Sequence, residues 1–155
     1  MATKKKPIKI NHVLYYYEWL KIDKENKFEN YMRLTSRATS PQSAIHSDGL
    51  PRARDPHARE RMLTDAGDAL AAYYEANKKY WDYKKFLESN LDKLEWEHRI
   101  ALYTKYIWNL HRPREQRING IARELSIRRA DVPALIEEAK AALADLLRAQ
   151  GADIE

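Results

Sequence analysis

From Leu63 to Leu94 the chain sets Leu63, Ala66, Leu70, Tyr73, Asn77, Tyr80, Lys84, Leu87, Leu91 and Leu94 at alternating steps of three and four. Only a helix returns side chains to one face at that spacing. An isolated helix gains little stability from propensity in water, so this one requires a partner for its apolar face. Asn77 and Lys84 interrupt the series with polar groups, which costs stability but fixes register or oligomer number. Leu63, Leu70, Tyr73, Asn77, Tyr80 and Leu87 are the candidate oligomerisation seam. Tyr74, Trp81, Tyr83 and Phe86 add apolar surface beside it, more than one partner helix covers. Two arrangements stay open: a hairpin with a second helix of the same chain, and a homodimeric bundle.

The second helix is available. Val13, Tyr17, Leu20, Phe28, Tyr31 and Leu34 form one stripe over residues 11–37, interrupted by Lys24. Between the two helices, residues 36–56 carry Ser36, Thr39, Ser40, Pro41, Ser43, Ser47, Asp48, Gly49, Pro51 and Pro56, the composition of a polar loop. Beyond the long helix, residues 92–110 place Leu94, Ile100, Tyr103, Ile107 and Leu110 on one face, with no Gly or Pro separating them from what precedes. Pro113 stops that helix, since it lacks an N–H and disfavours a helical residue before it. A short helix over 115–125 and a last one ending near Gly151 complete the pattern. The expectation is an all-α protein: a basic arm (1–10), a long helical hairpin or coiled-coil stalk (11–91) with its polar loop, and a head (92–150).

Charge is distributed unevenly along the head. From Trp96 to Ala130 the cations Arg99, Lys105, Arg112, Arg114, Arg117, Arg123, Arg128 and Arg129 face only Glu97, Glu115 and Glu124. After that the sign reverses, with Asp131, Glu137, Glu138, Asp145, Asp153 and Glu155 against Lys140 and Arg148. Within this stretch Ile121-Ala122-Arg123-Glu124-Leu125, a short break, then Val132, Leu135 and Ile136 have the outline of a helix-turn-helix. Positive charge gathered at such a unit points to double-stranded DNA.

Residues 94–147 resemble region four of bacterial sigma factors, through Tyr106-Ile107, Ile121-Ala122, Leu125, Ile127, Val132, Leu135 and Ala142-Leu143. The whole layout is similar to small phage regulators of late transcription of the RinA and ArpU kind. That resemblance implies a phage or prophage regulator that binds promoter DNA and works with the host RNA polymerase. Some residues depart from the pattern. His111 to Arg117 look like inserted material, Ser126 stands where a turn glycine is usual, and Arg128 replaces the expected Ser or Thr cap. Pro133 would disrupt a helix begun at Arg129, whereas Asp131 as N-cap makes Val132 and Pro133 the first helical residues. Arg128 and Arg129 are then the base-reading candidates. Arg112, Arg114, Arg117 and Arg123 suit phosphates, and Lys140 a flanking phosphate.

Two other classes remain: a DNA-packaging adaptor like a small terminase subunit, and a helical protein-interaction module that binds no DNA. Enzyme activity is not expected, because no Gly-rich phosphate loop, nucleophile elbow or acid/base dyad is present. His12, His46, His57, His98 and His111 share no ligand spacing, so neither metal nor cofactor is expected. No apolar run reaches the roughly 20 residues of a membrane span. The lack of cysteine fits a reducing, cytoplasmic setting.

Overall fold

In the computed structural model the described residues are 6–39, 57–108 and 110–155. They form α1 (Ile10–Thr39), α2 (Ala58–Leu91), α3 (Trp96–Leu102) running into a π turn (Tyr103–Ile107), α4 (Arg114–Leu125), a 3-10 turn (Arg129–Asp131) and α5 (Val132–Ala149). The fold is all-α. Some boundaries differ from the sequence expectation. Residues 36–39 belong to α1, so the polar segment begins later; its remainder, 40–56, lies outside the described residues, as does 1–5 of the basic arm. The other end of that arm is tied down: Ile8 N donates to the Asp153 carbonyl and Glu155 N to the Ile8 carbonyl, both at 2.9 Å.

α2 and α3 are separated by a break at residues 92–95, although no Gly or Pro lies between them. Asn90 explains it. Its Nδ2 donates back to the Phe86 carbonyl at 2.8 Å, and its Oδ1 accepts from Gln150 Nε2 at 2.7 Å. A buried amide satisfied on both sides fixes this end of α2. The chain then turns tightly, with Lys93 N on the Asn90 carbonyl and Leu94 N on the Leu91 carbonyl. Tyr103 donates its hydroxyl to Asp92 Oδ1 at 2.9 Å and holds the turn against the π segment. Nor does α3 reach Leu110: it widens at Tyr103, closes with Trp108 N on the Tyr103 carbonyl, and Trp108 is extended.

The chain divides into two compact units, one of Leu20–Trp81 and one of Met1–Trp19 with Asp82–Glu155. In the first, α1 and α2 pair antiparallel: Lys24 places its ammonium 4.1 Å from the centre of the Tyr80 ring, and Phe28 stacks obliquely on Tyr73 at 5.2 Å. The cation–π contact accounts for the interrupted stripe, because Lys24 buries its stem and keeps its charge against an electron-rich face. Ala66, Ala69, Ala76 and Tyr80 are the buried positions of α2 here. The inner face is therefore rotated by one residue at alternate positions from the expected seam, through Ala69 and Ala76 instead of Leu70 and Asn77. Alanine lets two helices approach closely. Asn77 is displaced to the flank, where it accepts from Trp81 Nε1 at 3.1 Å. Leu63 is 52% exposed, while Leu70 and Tyr73 are half-buried and Tyr80 is buried.

The second unit holds the larger core. Leu14 from α1, Leu87 and Leu91 from α2, Leu102 from α3, Ile121 from α4 and Val132 and Leu143 from α5 are almost fully buried. Each such side chain contributes about 1.5–3 kcal/mol. α3 packs chiefly on α5. Across this unit the Tyr83 hydroxyl donates to the Val13 carbonyl. α5 ends at Gly151, whose φ of 91° permits two closing bonds: Gly151 N to Arg148 O and Ala152 N to Leu147 O, each at 3.0 Å.

Candidate nucleic-acid interface

The site is built on α4, the turn after it and the start of α5. Pro113 precedes the first turn of α4, where a missing N–H costs nothing. Ile121 faces the core, with Ile118 and Leu125 half-buried beside it, which turns Gln116, Asn119 and Arg123 outward at steps of three and four. α4 closes on Ser126, which takes the left-handed conformation at φ 54° and ψ 40°. Ile127 N then reaches the Ala122 carbonyl at 3.1 Å and Ser126 N the Arg123 carbonyl at 3.4 Å, the same closure that Gly151 gives α5. Serine here supplies what the absent glycine would, at a backbone cost.

Pro133 lies in the first turn of α5, as its chemistry requires, and α5 begins at Val132. Asp131 marks that boundary but does not cap it. Its backbone is helical at φ −87° and ψ −13°, and its side chain makes no cap bond. The carboxylate instead accepts from Arg128 Nε at 3.2 Å. The 3-10 turn of Arg129–Asp131 takes the place of an ordinary cap by carrying the chain into α5 already wound.

The arginines separate into two groups. Arg112, Arg114, Arg123 and Arg129 are exposed and, among the described residues, make no ion pair or side-chain hydrogen bond. Arg128 is exposed but shared with Asp131. Arg117 is half-buried and donates from Nη1 to the Lys105 carbonyl at 2.5 Å, so it is a fastener between α4 and the π turn. Lys140 is also turned away from solvent. It is 8% exposed and pairs with Glu137 at 3.1 Å, which leaves it unsuited to a flanking phosphate. Burial pulls its ammonium down, and the Tyr106 and Glu137 side chains more than offset this, leaving it raised.

The outward face of α5 carries Pro133, Ala134, Glu137, Glu138, Ala141 and Asp145, a surface that repels phosphate. Gln116 and Asn119 are the residues that sequence reasoning passed over. Their signal was their spacing from Arg123, legible only once Ile121 is known to face inward. Lys105, counted among the head's cations but given no role, is half-buried in the π turn. Burial first, then repulsion by Lys140 and Arg114, lowers its pKa to about 8.

Among the described residues no cluster of three or more His, Asp or Glu could hold a metal, and no helix is long and apolar enough to cross a membrane. The chain matches no family model, no curated protein and no solved structure.

Proposed function

We propose that this chain is a sequence-reading DNA-binding protein that acts as a transcriptional regulator, with α4, its turn and α5 as a helix-turn-helix head. The observation that carries the reading is the set Arg112, Arg114, Arg123 and Arg129: four exposed guanidinium groups on one helix and its flanks, unpaired among the described residues. Unpaired surface cations of this density favour a polyanion, because neutralising phosphates releases condensed counterions from the duplex.

Base reading then falls to groups able to make paired hydrogen bonds at base edges. Gln116 and Asn119 suit adenine, and Arg123 suits guanine. Arg129 and the shared Arg128 reach out from the turn. The start of α5, normally the reading element of a helix-turn-helix, offers Asp131, Pro133, Ala134 and Glu137. α4 therefore takes a larger part in reading than the general arrangement assigns to a first helix. A phage or prophage origin and work alongside the host RNA polymerase belong to the same proposal, by resemblance to phage late-transcription regulators of the RinA and ArpU kind with their sigma-region-four-like head. Homodimerisation would present two heads to two half-sites. Ile22, Phe28, Met32, Leu63, Tyr74 and Trp81, all large, apolar and exposed on α1 and α2, support it.

The acidic outward face of α5 favours a second reading, in which Glu137, Glu138 and Asp145 dock a basic protein surface. One titration separates the two: full-length protein against random and upstream genomic duplexes over a salt series. Tight, salt-sensitive binding with a preferred fragment is the expected result. No binding at low salt would overturn the DNA reading and favour the protein-docking one. Ring-sized oligomers in solution would point instead to a packaging adaptor.

A further inference from the structure

α3 does not end as an ordinary helix but widens into the π turn Tyr103–Ile107. Such turns are uncommon, and they re-aim side chains where function needs them. Here the turn directs Lys105 and Tyr106 toward α4 and α5. The Lys105 ammonium lies 5.0 Å from the centre of the Tyr106 ring, and the Lys140 ammonium lies 5.8 Å from the same centre. Arg114 and Arg117, from the first turn of α4, are close enough to repel Lys105, and Glu137 is the one carboxylate that acts on it in return. That carboxylate is already held by Lys140.

The result is four cations against a single engaged anion, in a place where burial strengthens their mutual repulsion. A fold normally spreads such charges apart or pairs them. Lys105 reaches its position because the Arg117 guanidinium grips its carbonyl at 2.5 Å. The Tyr106 ring beneath is buried and packed edge-on by Tyr15 at 5.4 Å, which keeps both ammonium groups on the side of α4 and α5. Lys105 is half-buried and Arg114 exposed, so an anion on their solvent side would meet an excess of positive charge and several donors at once.

We propose that Lys105 and Arg114, with the buried Lys140 behind them, form an anion site where the π turn and α4 meet α5, and that it takes one phosphate of a nucleic-acid backbone. Lys105 and Arg114 contact the anion; Lys140 and Arg117 add positive field. The source of the phosphate rests on the DNA reading above, but the anion site itself does not. Seating one backbone phosphate at the start of α4 would fix the register in which Gln116, Asn119 and Arg123 meet the groove.

A protonation signature follows from the groups facing Lys105: Arg114 and Arg117 on α4, Lys140 and Glu137 on α5, and Tyr106 beside it. The phosphate favours the charged ammonium, so binding takes up protons near pH 8 and weakens as Lys105 deprotonates above it.

The test has two arms on the full-length protein, using wild type, Lys105→Gln and Lys105→Arg. In the first arm, thermal midpoints are measured with inorganic phosphate and with pyrophosphate, against chloride at equal ionic strength. Phosphate should raise the midpoint of wild type and Lys105→Arg and leave Lys105→Gln unmoved. The second arm titrates duplex DNA over a salt series. Lys105→Gln should weaken binding by about threefold to tenfold and reduce the salt slope by about 1. Lys105→Arg should retain the slope and lose the weakening above pH 8. Wild type that binds duplex while Lys105→Gln binds it with an equal slope would overturn the proposal. If wild type binds no duplex, the DNA reading fails; phosphate stabilisation that depends on Lys105 would then assign the site to a free phosphate and overturn its nucleic-acid source. Equal stabilisation of all three proteins would overturn the site itself.

Discussion

The guanidinium of Arg117 donates from Nη1 to the main-chain carbonyl of Lys105 at 2.5 Å. The end of a helix leaves carbonyls without intrahelical partners, and the widened π turn would leave this one buried and unpaired. An arginine in a basic cluster is thereby spent on folding. Arg117→Ala should lower the unfolding free energy by about 1–3 kcal/mol, the range for stranding a buried polar group. Urea unfolding followed by circular dichroism measures this. A midpoint equal to wild type would show that water replaces the contact without penalty.

Ser126 occupies left-handed backbone at φ 54°, a conformation that costs a residue with a β-carbon about 1–2 kcal/mol. Ser126→Gly removes that cost, while the freer unfolded chain returns part of it. The expected net gain is about 0.5–1 kcal/mol, seen as a higher urea midpoint with an unchanged slope. Destabilisation would mean that the serine side chain contributes more than its backbone strain removes.

These two residues show what the sequence could and could not disclose. The all-α class, the end of α4 at Leu125, the start of α5 at Val132 and the stop at Gly151 all follow from periodicity, from Pro133 and from glycine chemistry. Those are local signals, and local physics decides them. The roles of Arg117 and Lys140 were not legible, because their partners, the Lys105 carbonyl and the Tyr106 ring, belong to the π turn. Sequence periodicity near 3.6 residues does not reveal a π turn in advance. The seam on α2 was half legible for a related reason. Ala66, Tyr73, Tyr80 and Leu87 fit two overlapping heptad frames, and the small volume of Ala69 and Ala76, not hydrophobicity, selects between them. Asp131 shows the converse, a correct boundary assigned to the wrong bond: its carboxylate holds Arg128, and the 3-10 turn starts the helix.

The proposed base reading on α4 predicts a clean separation of effects. Gln116→Ala with Asn119→Ala should flatten the preference between a selected fragment and random duplex by about 1–3 kcal/mol for each base edge no longer read, with little change in salt slope. Arg112→Ala with Arg114→Ala should weaken all duplexes alike and reduce the slope by about 1 for each phosphate no longer neutralised. Arg128→Ala with Arg129→Ala tests the turn: loss of preference here, with none from the α4 pair, would return reading to the turn arginines. Competition binding at two salt concentrations distinguishes these patterns.

The pKa of Lys105 turns the cation cluster into a pH dependence of stability. Burial, Lys140 and Arg114 lower it from 10.5 to about 8, with Glu137 opposing and Arg117 adding to the repulsion. A lysine whose folded pKa lies below its unfolded one binds fewer protons when folded, between those two values. Stability contributed through this group therefore rises as pH climbs from about 8 towards 10.5, and below about 8 the folded state bears the whole cost of the charge. Tyr83 and Tyr103 oppose it from near pH 10, because burial pushes both phenols upward and the folded state keeps protons that the unfolded chain releases. The window in which Lys105 dominates is thus about pH 8 to 10. Measured as the difference between wild type and Lys105→Met in urea midpoints, the wild type should gain on the variant across that window and run parallel to it between about pH 6 and 7. Parallel curves throughout would show that the folded protein relieves the repulsion by moving Lys105 into solvent, and the cluster would then hold no stored charge for an anion to neutralise.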